Sequence, residues 1–313
     1  MIDELRRASQ YLLGLNIPGR LLSIYPDDTF IVSYPRSGNT WMRFLVANLL
    51  HSEAVTFRNI EQFIPDIYIH SRRYLKNLPR PRILKSHEYL DLRYSKVIYI
   101  VRDPRDTALS SYYFHLKQRQ ISESLTIEEY VGQFVGGLVW SNYGSWGQNI
   151  GSWLVARGSR VYVPPLGNSM TGIFGSWGKN VSGWLAARMG SPGFLLVRYE
   201  DMIASPAVEL ARVARFLNVD CSAEVLNRAI ERSSAGHMRR LEEKESRLWE
   251  LTKSTRQDMP FVREAKAGGW RTGLPASSVL AIESAWEPVM RMLGYEPAVQ
   301  ACSVVTHLSG GSF

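Results

Sequence analysis

The feature that most constrains this chain is an apolar, β-branched run that ends in a polar loop and continues as a helical pattern. The run is Thr29–Tyr34, the loop starts at Pro35 and contains Gly38, and helical spacing begins at Thr40. A glycine in such a turn lets backbone N–H groups converge on an anion, and the helix N-terminus adds partial positive charge. The segment predicts a strand, an anion-binding loop and a helix. The alternative is an ordinary strand–helix turn.

Three further runs continue this alternation of strand and helix. Strands are predicted over Arg82–Lys85, Lys96–Val101 and Gly193–Tyr199, and helices near 106–116 and 206–217. Such alternation predicts an α/β fold with a central, mostly parallel sheet flanked by helices. Ligands of such sheets bind beyond the carboxyl ends of the strands, and all four predicted ends carry polar, charged residues. We therefore expect one site at this edge of a P-loop nucleotide-binding-like sheet.

The length of the chain favours one domain over two. Its 313 residues are predicted to form a single domain with a core of about 28–295, an amphipathic helix over 3–15, and a tail of about 297–313. Disorder is one interpretation of that tail.

Charge and cysteine content limit the classes of partner and location. The net charge of +8 comes from scattered lysines and arginines, which argues against a nucleic-acid partner and leaves a phosphorylated ligand or an ordinary basic surface. Cys221 and Cys302 lie far apart without metal-ligand spacing, so neither a disulfide nor a metal site is predicted. No apolar run has the length of a membrane span, and the charged N-terminus lacks a signal-peptide pattern. A cytoplasmic location is predicted.

A local repeat interrupts the second half of the chain. The segment Gly144–Ile150 recurs as Gly175–Val181, and the match extends to residues 153–157 and 184–188. Two copies cannot form a solenoid, so we interpret 144–188 as a duplicated helical insertion. It could shape a substrate site, or it could be a neutral surface insertion.

Several side chains near the strand ends suit anion chemistry. In the first loop, Arg36 is a fixed cation, and residues 37, 39 and 40 add short hydrogen-bond donors. Arg102 ends the third strand, and Ser110 lies in the next helix. His87 follows the second strand and is a candidate general base. A nucleotide-kinase loop of the pattern Gly-x-x-x-x-Gly-Lys-Ser/Thr is absent from the sequence.

Together these segments resemble the family of sulfotransferases that use 3′-phosphoadenosine 5′-phosphosulfate (PAPS). Tyr34–Trp41 looks like the family's 5′-phosphosulfate loop, and Val101–Tyr112 looks like its 3′-phosphate element. Leu195–Asp201 resembles the segment whose tyrosine approaches adenine, and Arg263–Trp270 resembles the loop that closes over the 3′-phosphate. Four matches in family order are specific, whereas each alone is weak.

The resemblance implies a role for each matching position. The residues expected to bind PAPS are Arg36, Ser37, Gly38, Asn39, Thr40 and Trp41 at its 5′ end, Arg102, Ser110 and Arg263 at its 3′-phosphate, and Tyr199 and Ser233 beside its base. His87 would be the catalytic base, and Lys85 and Arg36 would stabilise charge on the transferring sulfuryl group. No metal is implied.

The sequence departs from the family pattern at four positions. Arg36 stands where many members have lysine, and Glu264 and Ala265 stand where Lys-Gly is frequent. Glu264 would repel a phosphate unless it points away. Ala235 stands where an aromatic side chain often packs on the base. The dimer signature of the animal cytosolic branch is not recognisable, so the oligomeric state stays open.

Two rival functions and the acceptor remain open at this stage. A phosphoryl-transfer enzyme would use a similar loop but would need Mg²⁺ and ATP. A non-enzymatic module would bind the nucleotide or an anionic glycan without turnover. The acceptor could be a hydroxyl or amine of a small molecule, lipid or glycan, and residues 52–80 and 113–140 could line its pocket. The aromatic residues there could equally belong to the core.

Overall fold

A computed structural model describes residues 22–140 and 174–298 of the chain. The predicted helix over 3–15, the first copy of the repeat and almost all of the tail lie outside the described residues. Within the described residues, no helix is both long and apolar enough to cross a bilayer.

The described residues form a four-stranded parallel sheet, as predicted. Its strands are β1 (Thr29–Ser33), β2 (Ile83–Ser86), β3 (Lys96–Val101) and β4 (Phe194–Arg198), in the order β2-β1-β3-β4. Val32 lies opposite Ser86 on one side and Tyr99 on the other, and Val101 lies opposite Arg198. This register brings the carboxyl ends of all four strands to one edge.

Helices flank the sheet within the described residues. They are α1 (Asn39–Leu50), α2 (Ile60–Phe63), α3 (Arg72–Lys76), α4 (Pro104–Lys117), α5 (Ile127–Val135), α6 (Trp177–Arg188), α7 (Tyr199–Ala204), α8 (Pro206–Leu217), α9 (Ala223–Arg232), α10 (Ala235–Glu245), α11 (Trp270–Gly273) and α12 (Ala276–Met292). All five residues of β1 are buried, because helices cover both faces of a parallel sheet.

The second copy of the repeat is α6, and it belongs to the core. Trp177 and Trp184 are fully buried. The Trp184 indole donates a hydrogen bond to the Glu88 carbonyl oxygen at 3.0 Å, and the Trp177 indole donates to that of Arg102 at 3.2 Å. A neutral surface insertion therefore does not describe this copy.

A buried ion pair lies at the amino ends of two strands of the sheet. Asp28 precedes β1, Arg82 precedes β2, and Arg82 Nε donates to Asp28 Oδ1 at 2.8 Å. Both side chains are almost fully buried. The pair lies at the amino ends of the strands, away from the edge where the polar loops meet.

Candidate active site

A cavity of about 330 Å³ opens at the carboxyl edge of the sheet. It is lined by every predicted site residue except Ser37 and Ser233. Residues that are distant in sequence meet here because the four parallel strands end side by side.

The loop between β1 and α1 requires glycine at position 38. Gly38 is the N-cap of α1 with a φ of 99°, which is a left-handed conformation that favours glycine. A Cβ atom added there would lie 2.6 Å from the Tyr199 ring. Ser37 is fully buried beneath the loop, and its hydroxyl has no hydrogen-bond partner among the described residues.

Asn39 ties this loop to the sheet. Its side-chain amide donates to the Ile31 carbonyl oxygen at 3.2 Å and to Ser33 Oγ at 3.3 Å. A longer contact of 3.4 Å reaches the carbonyl oxygen of Ser86. One amide therefore links the start of α1 to β1 and β2, while Thr40 lines the cavity beside it.

The Arg36 guanidinium lies between two aromatic rings. Its Cζ atom is 4.6 Å from the centroid of the Phe114 ring and 4.7 Å from that of Phe261. Arg36 Nε donates to Ser110 Oγ at 3.3 Å. Each cation–π contact stabilises this position by about 0.5–2 kcal/mol. The contacts with Phe114 and Ser110 hold the guanidinium against α4. A planar guanidinium suits such a slot better than the compact ammonium of lysine.

Arg102 forms a second cationic position directly after β3. Its guanidinium lies 4.2 Å from the centroid of the Tyr199 ring. Its Nη1 atom donates to the carbonyl oxygen of Arg36 at 3.3 Å, and its Nη2 atom donates to that of Lys266 at 3.2 Å. Arg263 lies nearby on the same side of the cavity, with its Cζ atom 4.3 Å from the Tyr113 ring centroid.

Asp106 fixes the loop that carries Arg263. Its carboxylate accepts hydrogen bonds from the backbone N–H of Gly268 at 2.7 Å and of Trp270 at 2.9 Å. Burial raises the pKa of Asp106, and Arg102, whose Nη2 atom is 4.0 Å away, opposes that rise. From the sequence, Asp106 was considered only as a surface partner of Arg102, and its contacts with the loop near Gly268 were not predicted.

Glu264 is neutralised within its own loop. Its carboxylate lies 2.6 Å from Lys266 Nζ and 3.6 Å from Arg263 Nη1. The hydrogen bond from Lys266 lowers the pKa of Glu264, so the carboxylate stays charged and paired. Glu264 and Lys266 both line the cavity, so this ion pair brings no net charge to it.

Ser233 supports Trp41 instead of lining the cavity. The Trp41 indole donates to the carbonyl oxygen of Ser233 at 2.9 Å, and the Ser233 hydroxyl accepts from Asn48 Nδ2 at 3.2 Å. Trp41 and Tyr199 meet edge to face with ring centroids 5.7 Å apart. Ala235 does line this side of the cavity.

His87 is held in one tautomer at the end of β2. Its Nδ1 atom lies 2.8 Å from the carbonyl oxygen of Ser33. Because a carbonyl oxygen only accepts, Nδ1 carries the hydrogen and Nε2 keeps its lone pair. Burial, with further contributions from Lys85 and Arg43, lowers the pKa of His87 well below its usual value. The imidazole is therefore neutral at pH 7, and its unprotonated nitrogen is Nε2.

Lys85 lies next to His87 along the same strand end. Its ammonium group is almost fully buried and lies 2.5 Å from Asp66 Oδ2. Burial lowers the pKa of Lys85, and the Asp66 carboxylate opposes that shift. The sequence interpretation did not identify Asp66.

Part of the cavity lining is apolar. Pro35, Phe114, Trp140 and Phe261 are among the residues that line the cavity. Phe114 and Trp140 come from the predicted range 113–140. No residue of the predicted range 52–80 lines the cavity, and side chains such as Phe57 are buried in the core. Within that range Phe57 packs on Phe44 of α1, and the Tyr68 hydroxyl accepts a hydrogen bond from the His87 N–H at 2.9 Å.

Comparisons with known proteins agree with this geometry. The family model of the sulfotransferase domain matches residues 26–163 and 166–294. Sulfotransferase 1 family member D1 of Mus musculus is 28% identical over 268 residues, covering 79% of this chain and 77% of that protein. A crystal structure of mouse sulfotransferase SULT7A1 with PAP superposes with a TM-score of 0.64 at 20% identity, covering 91% of each chain. Retinol dehydratase with androsterone and PAP gives 0.62 at 18% identity, covering 93% of this chain and 87% of that one.

The chain belongs to the sulfotransferase domain family, because the family model matches most of its length. It is a sulfotransferase with the single α/β domain typical of that family. The rival assignment to phosphoryl transfer is set aside by this match.

Proposed function

We propose that this protein transfers a sulfuryl group from PAPS to a hydroxyl or amine of a small, largely apolar acceptor, with His87 as general base. The observation that carries the proposal is one cavity that joins two arginine positions at neighbouring strand ends to an unprotonated histidine nitrogen. Opposite ends of a doubly phosphorylated nucleotide need two separate cationic positions, and a transfer step needs a base at a third.

The donor would lie across the carboxyl ends of β1 and β3. The loop from Arg36 to Trp41 would hold the 5′-phosphosulfate with backbone N–H groups and the N-terminus of α1. Arg102, Ser110 and Arg263 would hold the 3′-phosphate. Trp41 and Tyr199 would border the adenine, with Ser233 acting through Trp41. PAP in the related structures supports this donor class.

The reaction would form a bond between the acceptor oxygen or nitrogen and sulfur. The bond from sulfur to the 5′-phosphate oxygen breaks, and its electron pair leaves with adenosine 3′,5′-bisphosphate (PAP). His87 Nε2 takes the acceptor proton, and the carbonyl oxygen of Ser33 stabilises the resulting imidazolium through Nδ1. Lys85 and Arg36 would neutralise charge on the sulfuryl and leaving oxygens, so the step needs no metal.

We base the acceptor class on the apolar part of the cavity lining. Phe114, Trp140 and Phe261 contribute apolar surface beside the Arg36 guanidinium, which lies between the two phenylalanine rings, and this suits a flat or lipid-like alcohol better than a polysaccharide. The related retinol dehydratase structure contains androsterone, which supports this choice. We further propose a cytoplasmic location and no nucleic-acid partner, supported by the scattered basic charge and the two isolated cysteines.

Calorimetry with PAP and a transfer assay together test the proposal. We expect PAP to bind, and labelled PAPS to sulfate members of a panel of phenols, sterols and lipid alcohols in excess EDTA. An oligosaccharide panel is the comparison arm for the acceptor class. Absence of PAP binding by the folded protein, or transfer that stops in EDTA, would overturn the assignment.

A further inference from the structure

Asp66 is joined to Lys85 through both backbone and side chain. The segment before Tyr68 runs parallel to β2, where the Lys85 N–H donates to the carbonyl oxygen of Pro65 at 2.9 Å and the Ile67 N–H donates to that of Lys85 at 3.2 Å. This pairing sets the Asp66 carboxylate 2.5 Å from the Lys85 ammonium. Side-chain exposure is 5% for Lys85 and 2% for Asp66, so water does not screen the pair.

A second layer of charged groups fixes the Asp66 segment. Arg43 of α1 donates through Nε to the carbonyl oxygen of Ile64 at 2.9 Å, and its Nη2 atom lies 2.8 Å from Glu61 Oε1. Glu61 Oε2 accepts from the Asp66 N–H at 2.8 Å and lies 3.3 Å from His70 Nε2. The Asp66 carboxylate therefore has a fixed position relative to β2.

We propose that Asp66 is a positioning residue for sulfuryl transfer, which keeps the Lys85 ammonium charged and directed at the base of the cavity beside His87. This inference rests on the proposed function, because it assigns Lys85 to charge neutralisation. Lys85 lines the cavity, whereas Asp66 does not line it and contacts the Lys85 side chain from the other side.

Charge balance around Lys85 explains why a carboxylate is needed. Burial lowers the pKa of Lys85, and buried lysines without a partner can lose several units. Asp66 and Glu61 favour the ammonium form, whereas Arg43 opposes it. The Tyr68 ring, 5.3 Å from Nζ, adds a cation–π contact, and the neutral His87 ring is a further titratable neighbour. Asp66 is in direct contact with the Lys85 ammonium, so its carboxylate contributes most to keeping that group charged.

The competing interpretation is a buried ion pair with a purely structural role. The pair of Asp28 and Arg82 provides a comparison, because it is also almost fully buried and lies at the amino end of β2, whereas Lys85 lies near the carboxyl end of that strand. Removing either carboxylate should lower stability, since it leaves a buried cation unpaired. Only Asp66 should alter sulfuryl chemistry.

The test compares Asp66→Asn, Asp66→Glu and Asp28→Asn in the full chain at a temperature where all remain folded. For Asp66→Asn we expect kcat with PAPS and 2-naphthol to fall by about tenfold or more, and PAP affinity to stay within about threefold of wild type. Asp66→Glu should recover part of kcat. Asp28→Asn should lose stability but keep kcat.

The pH dependence of donor binding gives a readout that needs no acceptor. Without Asp66 the pKa of Lys85 falls further, so the ammonium is lost at a lower pH. PAPS affinity of Asp66→Asn should therefore begin to decrease at a lower pH than that of wild type and of Asp28→Asn. Identical PAPS profiles and kcat for Asp66→Asn and wild type would overturn the role of Asp66. Wild-type protein that fails to bind PAP would instead overturn the donor site itself.

Discussion

Three side chains of the site are oriented by main-chain carbonyl oxygens. Ser33 holds His87, Ser233 holds the Trp41 indole, and the loop carbonyl of residue 36 holds Arg102. Such bonds depend on backbone position and not on the identity of the accepting residue. Substituting the functional side chain itself is therefore the informative change at this scale.

The substitution His87→Ala should separate binding from chemistry. The variant should bind PAP within about threefold of wild type, because we propose that the imidazole faces the acceptor, and lose about 10²- to 10⁴-fold in kcat, because the proposed general base is absent. His51→Ala is the control, since His51 is exposed at the end of α1. Calorimetry and steady-state kinetics measure the two quantities. Near-normal turnover by His87→Ala would remove His87 from the mechanism.

Neighbouring elements restrict the backbone conformation of the loop before α1. Gly38 meets the ring of Tyr199, which begins α7 after β4. The loop geometry thus depends on a strand two positions away in the sheet.

The substitution Gly38→Ala should destabilise this loop, whereas the same substitution within a helix should not. A side chain is strained at a φ of 99°, and its Cβ would clash with the Tyr199 ring, so we expect a loss of about 1–3 kcal/mol and weaker PAP binding. Gly132→Ala is the matched control, because Gly132 lies in α5 with no atom within 4 Å of an added Cβ. That control should gain about 0.5–1 kcal/mol. Urea unfolding measures the stability of each variant, and calorimetry measures its affinity for PAP. Equal stability and equal affinity for the two variants would contradict the prediction.

At the scale of the molecule, two buried histidines couple stability to pH. Burial lowers the pKa of His115 to about 3, and burial also lowers that of His87. His115 Nδ1 lies 2.7 Å from the Tyr130 hydroxyl, and its Nε2 atom has no partner among the described residues. Neither ring takes up a proton in the fold near pH 6, whereas both do so when the chain unfolds.

The free energy of unfolding should therefore fall as pH drops below about 6.5, the ordinary histidine pKa. The unfolded chain binds more protons there, so each histidine removes up to about 1.4 kcal/mol per pH unit until its folded pKa is reached. In His115→Gln, which cannot take up that proton, the stability should change less steeply between pH 6.5 and 5. Urea unfolding at several pH values measures the slope. Equal slopes for the variant and wild type would exclude His115 as a source of acid sensitivity.

The sequence alone predicted the four strands, their parallel arrangement and the loop that opens the site. These features depend on local signals: continuous apolar runs, a glycine with its turn, and helical spacing from Thr40. His87 and Lys85 lie at the end of a recognisable strand, but their expected roles came from the resemblance of these segments to the sulfotransferase family. The short segments that line the cavity could therefore be recognised from the sequence, whereas the roles of their side chains stay predictions.

The tertiary structure alone decided how side chains distant in sequence pair with one another. It placed Asp66 against Lys85, set Arg36 between Phe114 and Phe261, and connected Asp106 to the loop near Gly268. It also made α6 part of the core. No local pattern encodes these contacts, because each depends on which surfaces meet when the helices pack on the sheet.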